Sequence, residues 1–224
     1  MTTVGHTISI NADGKQLEGD LHLPPDPQRG ICVFAHGSGS SRFSSRNQYV
    51  ASVLHKNGIG TLLMDLLTKD EERVDNYTRH LRFDIPMLTR RVVAAIDHLA
   101  QDESTKDYPV GTFGASTGGA AALWAAYHRP DRVKCAISRG GRPDLVPKEV
   151  LSHITTPTFL IVGGLDYDVI EMNKEAFEAI PSTTVKKLDI VPGATHLFEE
   201  PGTLEKVAEL AAGYLKQYLQ KKEE

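Results

Sequence analysis

The chain has 224 residues, of which 40% are hydrophobic and 24% charged, with 19 Gly and 12 Pro. That balance suits one globular domain over residues 1–224 and excludes collagen-like, low-complexity and disordered readings. Lys and Arg number 25 against 29 Asp and Glu, a formal charge of -4, so no cationic surplus exists to hold nucleic acid or an anionic membrane surface, and neither is expected as a partner.

The first residues, Met1 to His6, lack the basic and apolar regions of a secretory leader, and no apolar run approaches the ~20 residues of a membrane span, so a cytoplasmic protein is expected. His6 to Leu23 alternates around Asn11-Ala12-Asp13-Gly14, whose Asp-Gly step predicts an antiparallel hairpin. Pro24-Pro25-Asp26-Pro27 stops regular structure. Apolar runs of the kind buried strands require then recur at Gly30–Ala35, Thr61–Met64, Val110–Phe113, Val133–Ile137, Thr158–Val162 and Val185–Ile190. Between them, helical periodicity is clearest over Phe83–Ala100 and Thr203–Gln220, with shorter helices predicted over Asn47–Lys56, Ser116–Tyr127 and Ile170–Ala179. Strands alternating with helices predict an α/β fold with a mostly parallel sheet and helices on both faces. Cys32 and Cys135 lie inside strand-like runs and read as small buried hydrophobes. Lys221 to Glu224 is expected to be a solvated tail.

Four segments carry chemistry, each directly after a predicted strand. Gly114-Ala115-Ser116-Thr117-Gly118 joins a strand to a helix, the context of a nucleophile elbow in which a strained serine is exposed beside a helix N-terminus. A serine hydroxyl needs a base, and the base needs an orienting carboxylate. His196, in Gly193-Ala194-Thr195-His196, is the candidate base. Asp166 and Asp168 both follow the strand ending at Val162; Asp166 is preferred as the first after the glycine turn, Asp168 being the alternative as a surface charge or helix cap. An oxyanion hole needs two backbone donors, assigned to Thr117 and to Ser38 in His36-Gly37-Ser38-Gly39, with Gly37 as fallback and His36 as a brace of that loop. Dinucleotide and phosphate-loop patterns are incomplete, and no spacing resembles a zinc or calcium site, so no cofactor and no metal are expected.

Together, His36-Gly37-Ser38-Gly39, Gly114–Gly118, Gly164-Leu165-Asp166 and Gly193–His196 resemble the α/β-hydrolase superfamily, and the small form resembles the dienelactone hydrolase family, from about Gly30 to Leu219. The resemblance implies an eight-stranded, mostly parallel sheet, a Ser-Asp-His triad and no cofactor. Dienelactone hydrolase itself uses a cysteine nucleophile, whereas Ser116 stands there in this chain.

Gly140 to Pro157 leaves room for only a loop and one short helix where larger hydrolases carry a cap, so a small or open pocket is expected. Arg42, Arg46, Arg139 and Arg142 follow predicted strands and are candidates to attract an anionic substrate group. The favoured activity is a serine esterase acting on small esters, thioesters or lactones. An acyltransferase using the same triad, and a non-catalytic binding protein on a hydrolase scaffold, are the alternatives.

Overall fold

The computed structural model describes residues 5–24 and 29–220; the predicted break at residues 25–27 and the tail at 221–224 lie outside them. Among the described residues the order is β1 (Gly5–Ala12), β2 (Lys15–His22), β3 (Ile31–Ala35), α1 (Ser45–Lys56), β4 (Gly60–Met64), α2 (Lys69–Thr78), α3 (Ile85–Gln101), β5 (Val110–Ala115), α4 (Thr117–His128), β6 (Val133–Arg139), α5 (Lys148–Leu151), β7 (Thr158–Gly163), α6 (Tyr167–Ala179), β8 (Lys186–Val191) and α7 (Thr203–Tyr218). The eight strands form one sheet in the order β1-β2-β4-β3-β5-β6-β7-β8. The β1–β2 and β2–β4 pairings are antiparallel and the rest parallel. Asp13 and Gly14, with φ of 52° and 72°, turn the predicted hairpin in the left-handed backbone region, which matches the right-handed twist of its strands.

The central strands are apolar throughout because each buries both faces. Ile31, Val33 and Ala35 point into a core shared with α3 and α4, while Cys32 and Phe34 point into a second core against α1 and α7. Period two along one strand thus feeds two hydrophobic layers. Cys32 and Cys135 are both buried and free, and burial raises both thiols. No described helix is long and apolar enough to cross a membrane. Between β6 and β7 stand only a 3-10 turn at Pro143–Leu145 and the four-residue α5, a short connection with one short helix as expected.

The sequence reading missed α2. Its residues are polar, with only Asp75 buried, so no apolar stripe marks it. A capping box does: the Thr68 hydroxyl accepts from the Glu71 amide and the Glu71 carboxylate accepts from the Thr68 amide. Glu71 also takes both arms of Arg91 at 2.7 Å, and the same guanidinium donates to the Leu66 carbonyl at 2.5 Å. Arg91 is 2% exposed, so removing its carboxylate strands a buried charge. Glu71→Ala is expected to lower unfolding stability by about 3 kcal/mol in urea titrations; a loss below about 1 kcal/mol would mark the pair as an ordinary surface contact.

Candidate active site

Every candidate segment comes to the carboxyl edge of the parallel strands, where open α/β sheets bind ligands. Ser116 stands between β5 and α4 with φ 51° and ψ -121°. A non-glycine residue held there costs roughly 1–3 kcal/mol, which the surroundings must supply. The supply is close packing. A side chain at Gly114 would place Cβ 2.1 Å from the Gly118 carbonyl, and one at Gly118 would place it 2.2 Å from the Ala35 carbonyl. The two glycines let α4 start directly against the ends of β5 and β3. Backbone bonds pin the turn further: the Ser116 amide donates to the Arg139 carbonyl at 3.3 Å, and the Arg142 amide to the Ser116 carbonyl at 3.1 Å.

Asp166 and His196 are brought together from loops after β7 and β8, with His196 Nδ1 and Asp166 Oδ2 2.6 Å apart. A carboxylate only accepts, so the proton sits on Nδ1 and Nε2 is left as the free acceptor. Asp166 occupies the N-cap position of α6 but makes no capping bond; its side chain is turned to the imidazole. Asp168 lies in the first turn of α6, exposed to solvent. The histidine loop is pressed onto β7, since a Cβ at Gly163 would meet the Ala194 carbonyl at 2.5 Å, and the Leu165 amide donates to that carbonyl at 2.9 Å. Ser116 and His196 line the same cavity of about 220 Å³. No hydrogen bond joins them among the described residues, a contact that commonly tightens only around substrate.

The loop after β3 is held from both ends by the segment after β4. Leu66 donates its amide to His36 Nε2 at 2.9 Å, which leaves the ring proton on Nδ1 to bond the Gly37 carbonyl at 2.9 Å. Arg42 donates its amide to Asp65 at 2.8 Å. His36 is therefore a neutral brace, and burial holds its pKa below the ordinary value. No described hydrogen bond occupies the Ser38 amide. Thr117 opens α4 and has no intrahelical acceptor for its amide, so both predicted oxyanion donors remain available. Gly37 packs closely on the elbow: a Cβ there would lie 3.3 Å from Ser116 Cβ.

The four arginines divide. Arg42 is committed to Glu18 at 2.8 Å, Asp20 at 3.2 Å and Asp65, and Arg142 to both oxygens of Asp144 at 2.8 and 2.7 Å. Neither lines the catalytic cavity, which corrects the expectation that both face substrate there: each had a carboxylate nearer at hand. Arg46 and Arg139 do line it. Arg46 sits in α1 and Arg139 ends β6, so neither is a loop residue. Arg139 is 5% exposed. Its one hydrogen bond runs 3.4 Å to Asn47 Oδ1 and its buried Nε has no partner. Burial, with Arg46 nearby, pushes its pKa down to about 10.

Three supporting residues escaped the sequence reading. Glu200 accepts from the Thr195 amide at 3.0 Å and hydroxyl at 2.5 Å, fixing the turn that carries His196. Asn173 donates to the Gly141 carbonyl at 3.0 Å behind the elbow, and Asn47 receives Arg139. Glu200 lies four residues beyond His196, a local clue; the two asparagines are brought in by tertiary packing and left no signal along the chain.

Residues 17–221 match the model of the dienelactone hydrolase family. The chain is 50% identical, over 95% of its length, to proteins of two Mycobacterium tuberculosis strains named putative phosphoribosyl transferase, and it spans 46% of the length of those relatives. Among solved structures, it is similar to a dienelactone hydrolase from Anabaena variabilis, with 50% identity, a TM-score of 0.94, and coverage of 98% of this chain and 100% of that one. Est1E from Butyrivibrio proteoclasticus shares the fold at 17% identity and a TM-score of 0.78, covering 96% of this chain and 99% of that one.

The His36 brace gives a pH dependence with a definite sign. Its folded pKa lies below the unfolded value near 6.5, so the unfolded chain binds the proton first and stability falls as pH drops below about 6.5. His55, pushed to about 4 by burial and His22, adds to the same slope. The thermal midpoint should therefore fall between pH 7 and pH 5, and His36→Gln should lower it at pH 7 yet flatten the slope. Equal slopes in both proteins would remove His36 from the titration.

Proposed function

We propose that this chain, which belongs to the dienelactone hydrolase family and has the α/β-hydrolase fold, cleaves small esters through an acyl-enzyme on Ser116. The observation that carries the reading is the convergence of a positive-φ serine, a carboxylate-oriented imidazole and the loop carrying the unoccupied Ser38 amide on one cavity, with Thr117 next in the chain to the serine. In this reading His196 Nε2 takes the Ser116 proton as Oγ attacks the ester carbonyl. The Ser38 and Thr117 amides receive the developing oxyanion, aided by the N-terminus of α4. His196 then returns the proton to the leaving alcohol. Water, deprotonated by the same imidazole, releases the acid and restores the serine. Asp166 holds the ring tautomer and stabilises the imidazolium.

The name of the Mycobacterium tuberculosis relatives speaks of phosphoribosyl transfer, but this chain matches less than half of their length. An acyl-enzyme can also pass its acyl group to another hydroxyl, so acyl transfer uses the same residues. Hydrolysis is favoured because the catalytic cavity is half-open to solvent: His196 stays 38% exposed, which lets water reach the acyl-enzyme.

Ser116→Ala and Asp166→Asn should each depress kcat on 4-nitrophenyl acetate by about 10⁴-fold, while Asp168→Asn, an exposed charge, should change it by less than about tenfold. A larger loss in Asp168→Asn than in Asp166→Asn would reassign the carboxylate. The cavity of about 220 Å³ is below the usual range for drug-sized ligands. Across 4-nitrophenyl esters kcat/KM should peak between acetate and butyrate, and a peak at decanoate would refute the small-pocket reading.

A further inference from the structure

A buried guanidinium is ordinarily matched by a carboxylate, because an uncompensated charge in a protein interior is costly. The two other buried arginines among the described residues follow that rule: Arg91 has Glu71, and Arg42 has Glu18, Asp20 and Asp65. Arg139 departs from it. At 5% exposure it has no acidic partner among the described residues, and its Nε is buried without an acceptor. It stays protonated at neutral pH, since its pKa of about 10 is still well above 7.

Its surroundings add positive charge and no negative charge. Arg46 lines the same cavity, has its own buried unpartnered Nε, and reaches only the exposed Glu199 at 3.6 Å. No aspartate or glutamate lines the cavity, and Asp166 is spent on His196. The 12-residue helix α1 begins at this wall through Ser44, Arg46 and Asn47, and its first turn carries no acidic side chain. A helix N-terminus, the Arg139 guanidinium, which has Asn47 and the Phe198 ring but no acidic partner, and Arg46, which reaches only the exposed Glu199, therefore converge on the space in front of Ser116.

We propose that this wall of the catalytic cavity is a binding site for a phosphate group on the substrate, held by Arg139, Arg46 and the first turn of α1. The proposal rests on the hydrolase reading and adds the substrate's chemical class to it. Two guanidiniums call for a dianion, whereas a carboxylate would satisfy one fork and leave the second charge in place. The donors also come from separate elements, β6 and α1, which suits the oxygens of a tetrahedral anion better than the two coplanar oxygens of a carboxylate. Anchoring the phosphate there would fix the ester carbonyl over the elbow, so that remote binding energy is spent on orientation.

Inorganic phosphate tests the site directly as an inhibitor of 4-nitrophenyl acetate hydrolysis, with ionic strength held constant by sodium chloride. It should raise KM without lowering kcat, and acetate should do so far more weakly. Arg139→Gln and Arg46→Gln should each weaken phosphate inhibition by roughly tenfold or more. Arg46 is part-exposed, so its variant carries the test if Arg139→Gln does not fold. Hydrolysis that is unaffected by phosphate, inhibition by acetate as strong as that by phosphate, or inhibition unchanged in a folded variant would overturn the proposal and leave the hydrolase reading standing. If the wild-type protein does not hydrolyse the ester, the hydrolase reading fails separately, and calorimetric titration with phosphate still decides whether the site exists.

Discussion

The site depends on how closely α4 can approach the ends of β3 and β5. Contact at Gly114 and Gly118 leaves no room for a single Cβ, with clearances of 2.1 and 2.2 Å to neighbouring carbonyls. Because the helix begins there, the chain has no relaxed way from strand to helix, and Ser116 takes a positive φ. The hydroxyl is thereby lifted into the cavity. The same contact sets the start of α4 beside the loop that continues β3, since a Cβ at Gly118 would also meet the His36 carbonyl at 2.5 Å. A bulkier residue at Gly118 would push the start of α4, with Ser116 and Thr117, away from the loop that carries Ser38.

A second layer turns that contact into a rigid site. Glu71 holds Arg91, Arg91 holds the Leu66 carbonyl, the Leu66 amide holds His36, and His36 holds Gly37. The chain of bonds runs from α2 and α3 to the oxyanion loop through groups that are mostly buried, where each bond is worth more than it would be in water. Arg42 ties the other end of the loop to Asp65. Charge is thus used in two ways around one active site. Arginines matched by buried or half-buried carboxylates brace the backbone, while Arg139, which has none, and Arg46, which reaches only the exposed Glu199, line the cavity.

Much of this was legible in the sequence for physical reasons. Strands buried on both faces must be apolar throughout, so six parallel strands could be read directly, and Asp13-Gly14 marked the hairpin. Ser116, His196 and Asp166 could be singled out as candidates because each follows such a strand at a glycine turn, and the fold brings Asp166 within 2.6 Å of His196. Helix α2 was not legible, since it buries only Asp75 and shows no apolar stripe; only its capping box betrayed it. The arginines were legible as a group but not individually. Whether a guanidinium is braced or uncommitted depends on which carboxylate lies within reach: Arg42 meets Glu18 and Asp20 from β2, strands away in sequence, and Arg139 meets none. That information exists only once the chain is folded.

The central claim is that Ser116 is the residue that forms the covalent intermediate. Intact-protein mass spectrometry after treatment with a fluorophosphonate, followed by peptide mapping, reads this directly. One adduct per chain is expected, carried by the peptide containing Ser116, with none on the Ser116→Ala protein. An adduct on any other serine, or an unmodified folded protein under conditions that label an authentic serine esterase, would contradict it.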